Sequence, residues 1–504
     1  MNATDPVLVV GAGPTGLLMA AELARHGASV RIVDRGDGGC RESRALGVQA
    51  RTLEMLDAIG LAGDFLARGF RVRGFSMWDQ RRLLARIDYG ALDSAFPFLL
   101  DIPQNETESI LRAHLSRLGV EVEAATEVVG LVRTGEGVAA TVRGPGGAES
   151  VLRASYVVGC DGAHSTVRRQ VGLAFEGHGY ADDWLLADVA LDWDRAPDDV
   201  HVTFNPEGKA VVCMPMRGGR WRVILYFAGR RAGSAAPSLA EVADLVARRV
   251  PGPVAVSDPS WLARFQTHRR SAAAYRRGRV LLAGDAVHIH SPAGGQGMNT
   301  GLLDAQNLGW KLAAVVTGCA PDELLDTYQA ERAPVARQVL GLSHSLVRLS
   351  SLSAPWQRAA RGAILPIAAR LPHLRARMAR RVSQLSVGYR QSPLTAGGRP
   401  RRGVRPGDRA PDAVGLVWRG EPARLHELLR GPCHTLLVLD GGPADVADRH
   451  ARHVRPLPVP PEMDACGEAR RRYGAGVYLS RPDGYVAACG RAAAGVYLER
   501  AYGR

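Results

Sequence analysis

The sequence predicts an α/β fold in which three strand–loop–helix units build one nucleotide-binding domain. The first unit carries a glycine pattern at residues 11–16, the second places Asp161 and Gly162 after an apolar strand, and the third places Gly284 and Asp285 after another. In such units the loop after a strand and the N-terminus of the next helix meet at one edge of the sheet, where backbone N–H groups favour anions. We therefore expect the three loops to surround one phosphate-bearing ligand.

The N-terminal unit is a βαβ motif with the pattern GxGxxG. An apolar strand precedes the glycines, and a helix and a second strand follow, ending at Asp34. Gly11 allows the tight turn, Gly13 lets the backbone approach a pyrophosphate, and Gly16 allows the helix to pack closely on the strand. An acid at the end of the second strand suits a ribose hydroxyl. From this motif alone the ligand is either FAD or NAD.

The third unit, Arg279 to Asn299, predicts an apolar strand, a glycine-rich loop and a helix that begins at about Thr300. Asp285 is a lone carboxylate at the end of the strand, and the helix N-terminus offers free backbone N–H groups and the positive end of its dipole. A reduced flavin needs both, because a carboxylate can bind a ribityl hydroxyl while N–H groups hold the negative N1/C2=O edge. Taken alone, the same pattern also fits an ordinary strand, loop and helix.

Composition excludes several classes of protein. At 504 residues, with 46% hydrophobic and 23% charged residues, the chain is long enough for two or three folded domains. Its formal charge of +14 could indicate nucleic acid, but Lys209 and Lys311 are the only lysines, which is typical of a genomic bias toward arginine. We interpret the arginines as dispersed and expect no nucleic-acid partner, because such a partner requires a basic stripe on one face.

Cysteine usage and hydropathy exclude further classes. Seven scattered cysteines without a CxxC pair indicate neither a disulfide framework nor a zinc site, so we expect no metal and a reducing compartment. No run reaches the roughly 18 apolar residues that a membrane-spanning helix needs. The N-terminus shows no basic and apolar leader. The sequence therefore predicts a cytoplasmic protein with no membrane partner.

The strand and helix patterns predict three domains. Residues 1–180 and 266–395 should form a split nucleotide-binding domain with a helical segment at its end. Strand-like segments in 181–265, with part of 70–102, should form an inserted mixed β-sheet that binds the substrate. Residues 396–504 should form a small C-terminal domain.

The helical segment carries a basic amphipathic pattern and is followed by a linker. Apolar residues recur at spacings of three and four with arginines between them: Ile367, Leu371, Leu374, Met378, Val382 and Leu385. Such a helix could bind a membrane surface, but we expect it to pack its apolar face onto the protein and expose its arginines. Pro393 to Pro411, rich in Gly, Pro and Arg, is interpreted as the linker.

Taken in order, the motifs resemble those of the class A FAD-dependent monooxygenases of the para-hydroxybenzoate hydroxylase type, specifically the aromatic polyketide and rifampicin-type hydroxylases. The similar segments are residues 11–16 (GxGxxG), Cys160 to Arg168 (the DG motif), Gly284 and Asp285 (the GD motif) and Pro292 to Asn299 (the flavin-ring loop). The resemblance covers nearly the whole chain. It implies a Rossmann-like FAD-binding domain, an inserted mixed β-sheet substrate domain and a thioredoxin-like C-terminal domain, which here lacks CxxC.

The resemblance implies FAD as the resident cofactor, NADPH or NADH as a transient reductant and O₂ as co-substrate. Asp34 would hold the ribose, Asp161 would support the use of both FAD and NADPH, and Asp285 would bind the ribityl or pyrophosphate side. Met298 and Asn299 would supply backbone amides to the isoalloxazine. The implied cofactor-binding residues are Gly11, Gly13, Thr15, Gly16, Asp34, Arg35, Arg44, Gln104, Val128, Asp161, Asp285, Pro292, Gly295, Gly297, Met298 and Asn299.

The family inserts one oxygen atom through a flavin C4a-hydroperoxide, which requires a dry pocket and little acid–base chemistry from the protein. The expected substrate is a cyclic or polycyclic aromatic, phenolic natural product. Tyr226 and His268 are candidates for a group that deprotonates a phenol, and neither is assigned as catalytic. A Baeyer–Villiger oxygenation of a polyketide and a non-catalytic flavoprotein that sequesters an aromatic drug remain alternatives. We expect a monomer or a homodimer.

Overall fold

The computed structural model describes residues 5–38, 43–206, 210–227, 236–289, 294–352, 354–397, 403–443 and 450–503. It is the α/β protein that the sequence predicts. The strands are β1 (Val7–Val10), β2 (Val30–Val33), β3 (Gly47–Val48), β4 (Phe70–Val72), β5 (Gly74–Asp79), β6 (Arg82–Asp88), β7 (Leu99–Asp101), β8 (Val122–Glu123), β9 (Glu127–Arg133), β10 (Val138–Arg143), β11 (Glu149–Ala154), β12 (Tyr156–Gly159), β13 (Phe175–Trp193), β14 (Asp199–Phe204), β15 (Val211–Pro215), β16 (Arg220–Phe227), β17 (Val254–Ala272), β18 (Arg276–Arg277), β19 (Val280–Leu282), β20 (His288–Ile289), β21 (Leu416–Trp418), β22 (Glu421–Ala423), β23 (His434–Val438), β24 (Val454–Pro458), β25 (Val477–Ser480) and β26 (Val486–Cys489). The helices are α1 (Pro14–Arg25), α2 (Ala50–Ala58), α3 (Ala62–Arg68), α4 (Gln104–Arg117), α5 (Thr166–Gln170), α6 (Leu239–Arg249), α7 (Gly297–Val316), α8 (Asp326–Ser350), α9 (Pro355–Arg370), α10 (Pro372–Val382), α11 (Leu425–Leu428), α12 (Glu468–Tyr473) and α13 (Arg491–Tyr502).

A six-stranded sheet brings the three predicted loops to one edge. Its order is β18-β19-β12-β1-β2-β8, and the neighbours run parallel except at β18. The register aligns the last residues of four strands, because Val10 lies beside both Val33 and Gly159, and Gly159 lies beside Leu282. Since the carboxyl ends of parallel strands share an edge, the segments that follow these four residues all begin at one crevice.

An eight-stranded sheet forms the second layer, in the order β20-β17-β13-β16-β15-β14-β5-β6. It is mixed, because β14 and β5 pair in parallel and the other neighbours are antiparallel. Alternate residues of β16 point to opposite faces. Val223 and Leu225 pack against α6, whereas Arg222 reaches the nucleotide-binding domain, where its Nη1 donates to the carbonyl oxygen of Arg44 at 3.2 Å.

The helical segment does not bury the apolar face that the sequence predicts. α9 and α10 pack through another side, because Leu365, Ala369 and Ala379 belong to or pack against the apolar cluster beside β5 and β6. Leu385 is buried as expected. The expectation is wrong for the four apolar residues that the structure leaves exposed: Ile367, Leu371, Leu374 and Met378. Among the described residues, no helix combines the length and apolarity that crossing a membrane requires.

The C-terminal domain is built on a four-stranded sheet in the order β24-β23-β25-β26. Buried ion pairs fix it to the nucleotide-binding domain, since Arg481 donates to both carboxylate oxygens of Glu331 at 2.6 and 2.8 Å. Asp483 accepts a hydrogen bond from Asn307 of α7 at 3.2 Å. The predicted linker contacts this domain at its start, because Leu394 is buried in the apolar cluster of the domain.

Asp101, the last residue of β7, is a buried carboxyl group without a visible partner. It is 1% exposed, and neither of its carboxylate oxygens has a hydrogen bond among the described residues. Its strand pairs with β3 at Gly47, and the guanidinium of Arg222 is the charged group that acts on it. Burial raises the pKa of Asp101 well above its ordinary value, and Arg222 opposes only part of that shift.

Asp101→Asn should therefore change how stability depends on pH. An acid whose pKa is higher in the folded chain binds more protons there, so the wild type loses stability as pH rises through its ordinary and then its raised pKa. Asn cannot ionise, so the unfolding free energy of the variant should rise relative to that of the wild type by about 1.4 kcal/mol for each pH unit inside that window. Urea titrations of both proteins over a pH series measure the difference. A difference that is constant with pH would contradict the expectation.

Candidate functional site

A cavity of about 360 Å³ lies at the carboxyl edge of the six-stranded sheet. Its lining includes seven residues that the sequence indicates for the cofactor: Gly11, Gly13, Asp34, Arg35, Gln104, Val128 and Asp161. It also includes polar side chains that the sequence did not indicate: Glu108, Arg112, Thr126 and His164. Glu108 and Arg112 follow Gln104 along α4 at spacings of four and eight, so the helical period could have indicated them once Gln104 was placed.

Other atoms of the protein lie too close for a side chain at two glycines of the loop, whereas the space beside a third glycine is open. Gly11 has a φ of +101°, and a Cβ there would lie 2.6 Å from the carbonyl oxygen of Cys160. A Cβ on Gly16 would overlap the carbonyl oxygen of Gly11, so α1 can approach β1 only with glycine. A Cβ on Gly13 would meet no described atom within 4 Å. Because Gly13 lines the cavity, that space is open to a pyrophosphate.

Two acids at strand ends order the loops of the crevice. Asp34 Oδ2 accepts a hydrogen bond from the backbone N–H of Ala12 at 2.5 Å. Asp161 Oδ2 accepts hydrogen bonds from the N–H groups of Thr166 at 2.7 Å and Val167 at 3.1 Å, so it caps α5. The other oxygen of Asp161 has no partner among the described residues. Since a buried polar atom normally has a hydrogen bond, this oxygen suits a donor on a ligand in the cavity.

Arg44 and Gln104 belong to one connected loop region. Gln104 Oε1 accepts a hydrogen bond from Ala45 N at 3.1 Å, and Gln104 N donates to Ser43 Oγ at 2.9 Å. Arg44, between Ser43 and Ala45, is exposed and lies within electrostatic reach of Asp285. Asp285 is itself exposed at the end of the third unit. Arg44, in the loop before β3, and Asp285, the acid of the third predicted loop, therefore face the same crevice.

α7 begins at Gly297, three residues before the predicted start at Thr300. The prediction was late because glycine and asparagine are weak helix formers. The N–H of Thr300 donates to the carbonyl oxygen of Gln296 at 2.9 Å. The N–H groups of Gly297, Met298 and Asn299 therefore belong to the first helical turn, where no intrahelical acceptor exists. They can bind a negatively charged or carbonyl oxygen of a ligand.

The side chain of Asn299 joins the flavin-ring loop to β3. Its Nδ2 donates to the carbonyl oxygens of Gly47 at 2.8 Å and Gly295 at 2.9 Å, and its Oδ1 accepts from Gln49 N at 2.8 Å. The sequence indicated only the backbone amide of this residue. Pro292, also predicted for this loop, lies outside the described residues.

Thr15 lies where α1, the GD loop and α7 converge. A Cβ on Gly284 would lie 2.7 Å from Thr15 Oγ1, and a Cβ on Gly301 would overlap the same oxygen. Both glycines are therefore required by close packing. This contact brings the first and third units of the chain together at the crevice.

A buried ionic cluster that the sequence did not indicate supports this convergence. Asp304 of α7 accepts a hydrogen bond from the backbone N–H of Gly284 at 3.2 Å, and the Nε2 of His288 lies 2.7 Å from the same carboxylate oxygen. Arg332 of α8 donates to the other oxygen at 2.6 Å and to the carbonyl oxygen of Thr300 at 3.1 Å. Asp304 and Arg332 are fully buried. The cluster thus joins the GD loop, α7 and α8.

The two candidates for phenol deprotonation lie in different surroundings. Tyr226 is buried on the sheet face that packs against α8, with its ring centre 5.1 Å from that of Trp184. His268 lies near His164, which lines the cofactor cavity, and burial, Arg270 and His164 lower the pKa of His268. Tyr226 therefore remains a candidate for contact with a substrate between the sheet and α8, whereas His268 lies on the cofactor side.

Known proteins resemble the whole of this arrangement. Residues 4–343 match the family model described as "FAD binding domain", and residues 404–504 match "Aromatic-ring hydroxylase, C-terminal". The chain is 40% identical over 510 residues to 6-methylpretetramide 4-monooxygenase of Streptomyces rimosus. The aligned region covers 96% of this chain and 90% of that relative.

Solved structures agree with these sequence matches. Anhydrotetracycline hydroxylase from Streptomyces rimosus has a TM-score of 0.83 at 33% identity and covers 99% of both chains. Aklavinone-11 hydroxylase, solved as a ternary complex with FAD and aklavinone, has a TM-score of 0.80 at 27% identity and covers 100% of both chains. The chain therefore belongs to the class A FAD-dependent monooxygenases of the aromatic polyketide hydroxylase type, and it is an FAD-dependent enzyme.

Gly13→Val should abolish FAD binding without unfolding the protein. Gly13 has a φ of −72°, which valine adopts, and the new side chain would fill only the open space at the cavity. Visible absorbance measures bound flavin, and circular dichroism measures folding. Gly63→Val is the matched control, because Gly63 of α3 is equally open and lies outside the cavity lining. A folded Gly13→Val variant with full flavin content would refute the proposed role of Gly13.

Proposed function

We propose that this enzyme inserts one atom of O₂ into an electron-rich polycyclic phenol, with NADPH or NADH as the electron donor. The observation that carries the proposal is the apolar wall that the eight-stranded sheet and α8 form beside the start of α7. Leu346 of α8 lies beside Gly294, just before α7, and the next residue, Val347, packs against Tyr226 and Trp184. The wall and the flavin-ring loop are therefore adjacent.

The wall suits a flat apolar ligand. Trp184 and Tyr226 are buried in it, and the ring of Phe265 stacks on Trp184 with an interplanar angle of 17°. Ile224 and Met214, on neighbouring strands, are only partly buried. Partly exposed apolar side chains on an inward face indicate an open apolar space, which favours aromatic ligands and excludes water.

The similar proteins support a polycyclic substrate. The 40%-identical relative acts on 6-methylpretetramide, and the solved structures include a hydroxylase of anhydrotetracycline and a complex with aklavinone. The wall described above has the aromatic and aliphatic lining that such ring systems require. We infer hydroxylation of a molecule of this size class.

The residues of this chain would hold FAD and supply electrostatic stabilisation. Gly13 and Asp161 offer the open space and the unpartnered oxygen that suit its nucleotide portion. Bound FAD supplies the redox chemistry that activates O₂. The first-turn N–H groups of Met298 and Asn299, with the dipole of α7, would favour the negative charge of a reduced flavin by about 1 kcal/mol or more in a partly buried site.

With FAD-loaded protein, the correct polycyclic phenol should raise the rate of NADPH or NADH oxidation severalfold. With ¹⁸O₂, mass spectrometry should find one labelled atom in the product as a hydroxyl group, because the transferred atom comes from O₂. The methyl ether of the same phenol is the control, since it keeps the ring system but cannot ionise. Label derived from water, or oxidation indifferent to every aromatic tested, would refute monooxygenation. A labelled ring-expanded lactone would refute hydroxylation in favour of Baeyer–Villiger chemistry.

A further inference from the structure

The net charge of the chain is concentrated in one segment. Residues 332–407 contain fifteen arginines and neither Asp nor Glu. Since the whole chain carries +14, the residues outside this segment are close to neutral in sum. The dispersed distribution of arginine expected from the sequence is therefore wrong for this part of the chain. α9 and α10 lie in the middle of the segment.

The same two adjoining helices expose a group of large apolar side chains, which we call the α9–α10 face. Its large side chains are Trp356, Ile364, Ile367, Leu371, Leu374 and Met378, and each is at least 37% exposed. The most exposed are Trp356 at 72% and Ile364 at 62%. Spacings of eight and three place the three residues of α9, Trp356, Ile364 and Ile367, on one side of the helix. Single exposed apolar residues are normal, but a contiguous group marks an interaction surface.

α9 is already anchored to the protein through its opposite side. Arg361 is 3% exposed, its guanidinium lies 4.1 Å from the ring centre of Phe204, and its Nη1 donates to the carbonyl oxygen of Leu349 at 3.2 Å. Leu365 and Ala369 pack into the adjoining apolar cluster. The α9–α10 face is therefore not needed to hold the helix on the protein, and packing among the described residues does not account for its outward apolar side chains.

We propose that the α9–α10 face docks onto the surface of an anionic lipid bilayer. Helices that lie in the membrane interface combine Trp and aliphatic side chains, which enter the boundary between headgroups and acyl chains, with basic residues that attract anionic lipids. Both components are present here. The exposed arginines of the two helices are Arg370, Arg375, Arg377, Arg380 and Arg381.

Charge decides between a bilayer and a second copy of this chain. Because the segment has no acidic residue, two copies joined through this face would bring arginines against arginines, and like charges at an interface oppose association. Lipid phosphates complement the same arginines. The proposal concerns docking at the surface and does not depend on the reaction at the flavin site.

The test uses the FAD-loaded full chain and sedimentation with vesicles of phosphatidylcholine, with and without phosphatidylglycerol. Binding should require phosphatidylglycerol and should weaken at high salt. Arg375→Gln with Arg377→Gln should weaken it by about 25-fold, since each arginine near an anionic surface contributes about fivefold. Ile364→Ser with Ile367→Ser should weaken it at least about tenfold through lost apolar burial. All variants should keep their FAD absorbance.

Matched controls lie on the three-stranded sheet of β9, β10 and β11. Val132 and Val151 are 64% and 62% exposed there, so Val132→Ser with Val151→Ser should leave vesicle binding unchanged. Arg133→Gln with Arg153→Gln is the corresponding control for charge. Absence of binding to anionic vesicles, or equal binding by all variants, would overturn the proposal. The face would be assigned to a second copy instead if the protein did not bind vesicles and formed a dimer in analytical ultracentrifugation. Among the variants, only Ile364→Ser with Ile367→Ser should then dissociate that dimer.

Discussion

Asp304 is the point at which the GD loop, α7 and α8 are joined. Burial alone would raise its pKa, but Arg332 and His288 hold the pKa of this carboxyl below its ordinary value. An ionised, fully buried group persists only where partners satisfy it. The backbone N–H of Gly284 is one of those partners, so the position of the GD loop relative to the N-terminus of α7 follows from satisfying one carboxylate.

The same helix α8 connects this cluster to the C-terminal domain. Arg332 donates to the hydroxyl of Tyr389 at 3.0 Å, and the ring of Tyr389 lies 4.2 Å from that of Tyr485. The preceding residue, Glu331, accepts both hydrogen bonds from Arg481. Thus two consecutive residues of α8 have different partners: Arg332 binds Asp304 of the buried ionic cluster, and Glu331 binds the C-terminal domain. These contacts give a domain without CxxC a structural role, since its Arg481, together with Lys311 of α7, pairs with a glutamate that α8 buries.

The parts of this structure that sequence could predict are those with local signals. An apolar strand followed by Gly11 or by the pair Asp161 and Gly162 has few conformations that satisfy sterics and hydrogen bonding, so the strand–loop–helix units were predictable. Asp304 and Arg332 were not, because they are 28 residues apart and nothing local separates a buried ion pair from two surface charges. Periodicity showed that the helix containing Ile367 has an apolar face, but the covering of that face depends on neighbours distant in sequence.

Asp304→Asn tests the central role of this carboxylate most directly. Asn keeps the shape but leaves Arg332 buried without a counter-charge, which should cost about 3–5 kcal/mol of unfolding free energy and weaken FAD binding. Asp326→Asn is the control, because Asp326 is 70% exposed beside Arg276 and such pairs contribute about 1 kcal/mol or less. Denaturant unfolding and FAD titration measure both effects. An Asp304→Asn variant with the stability and FAD affinity of the wild type would contradict the account.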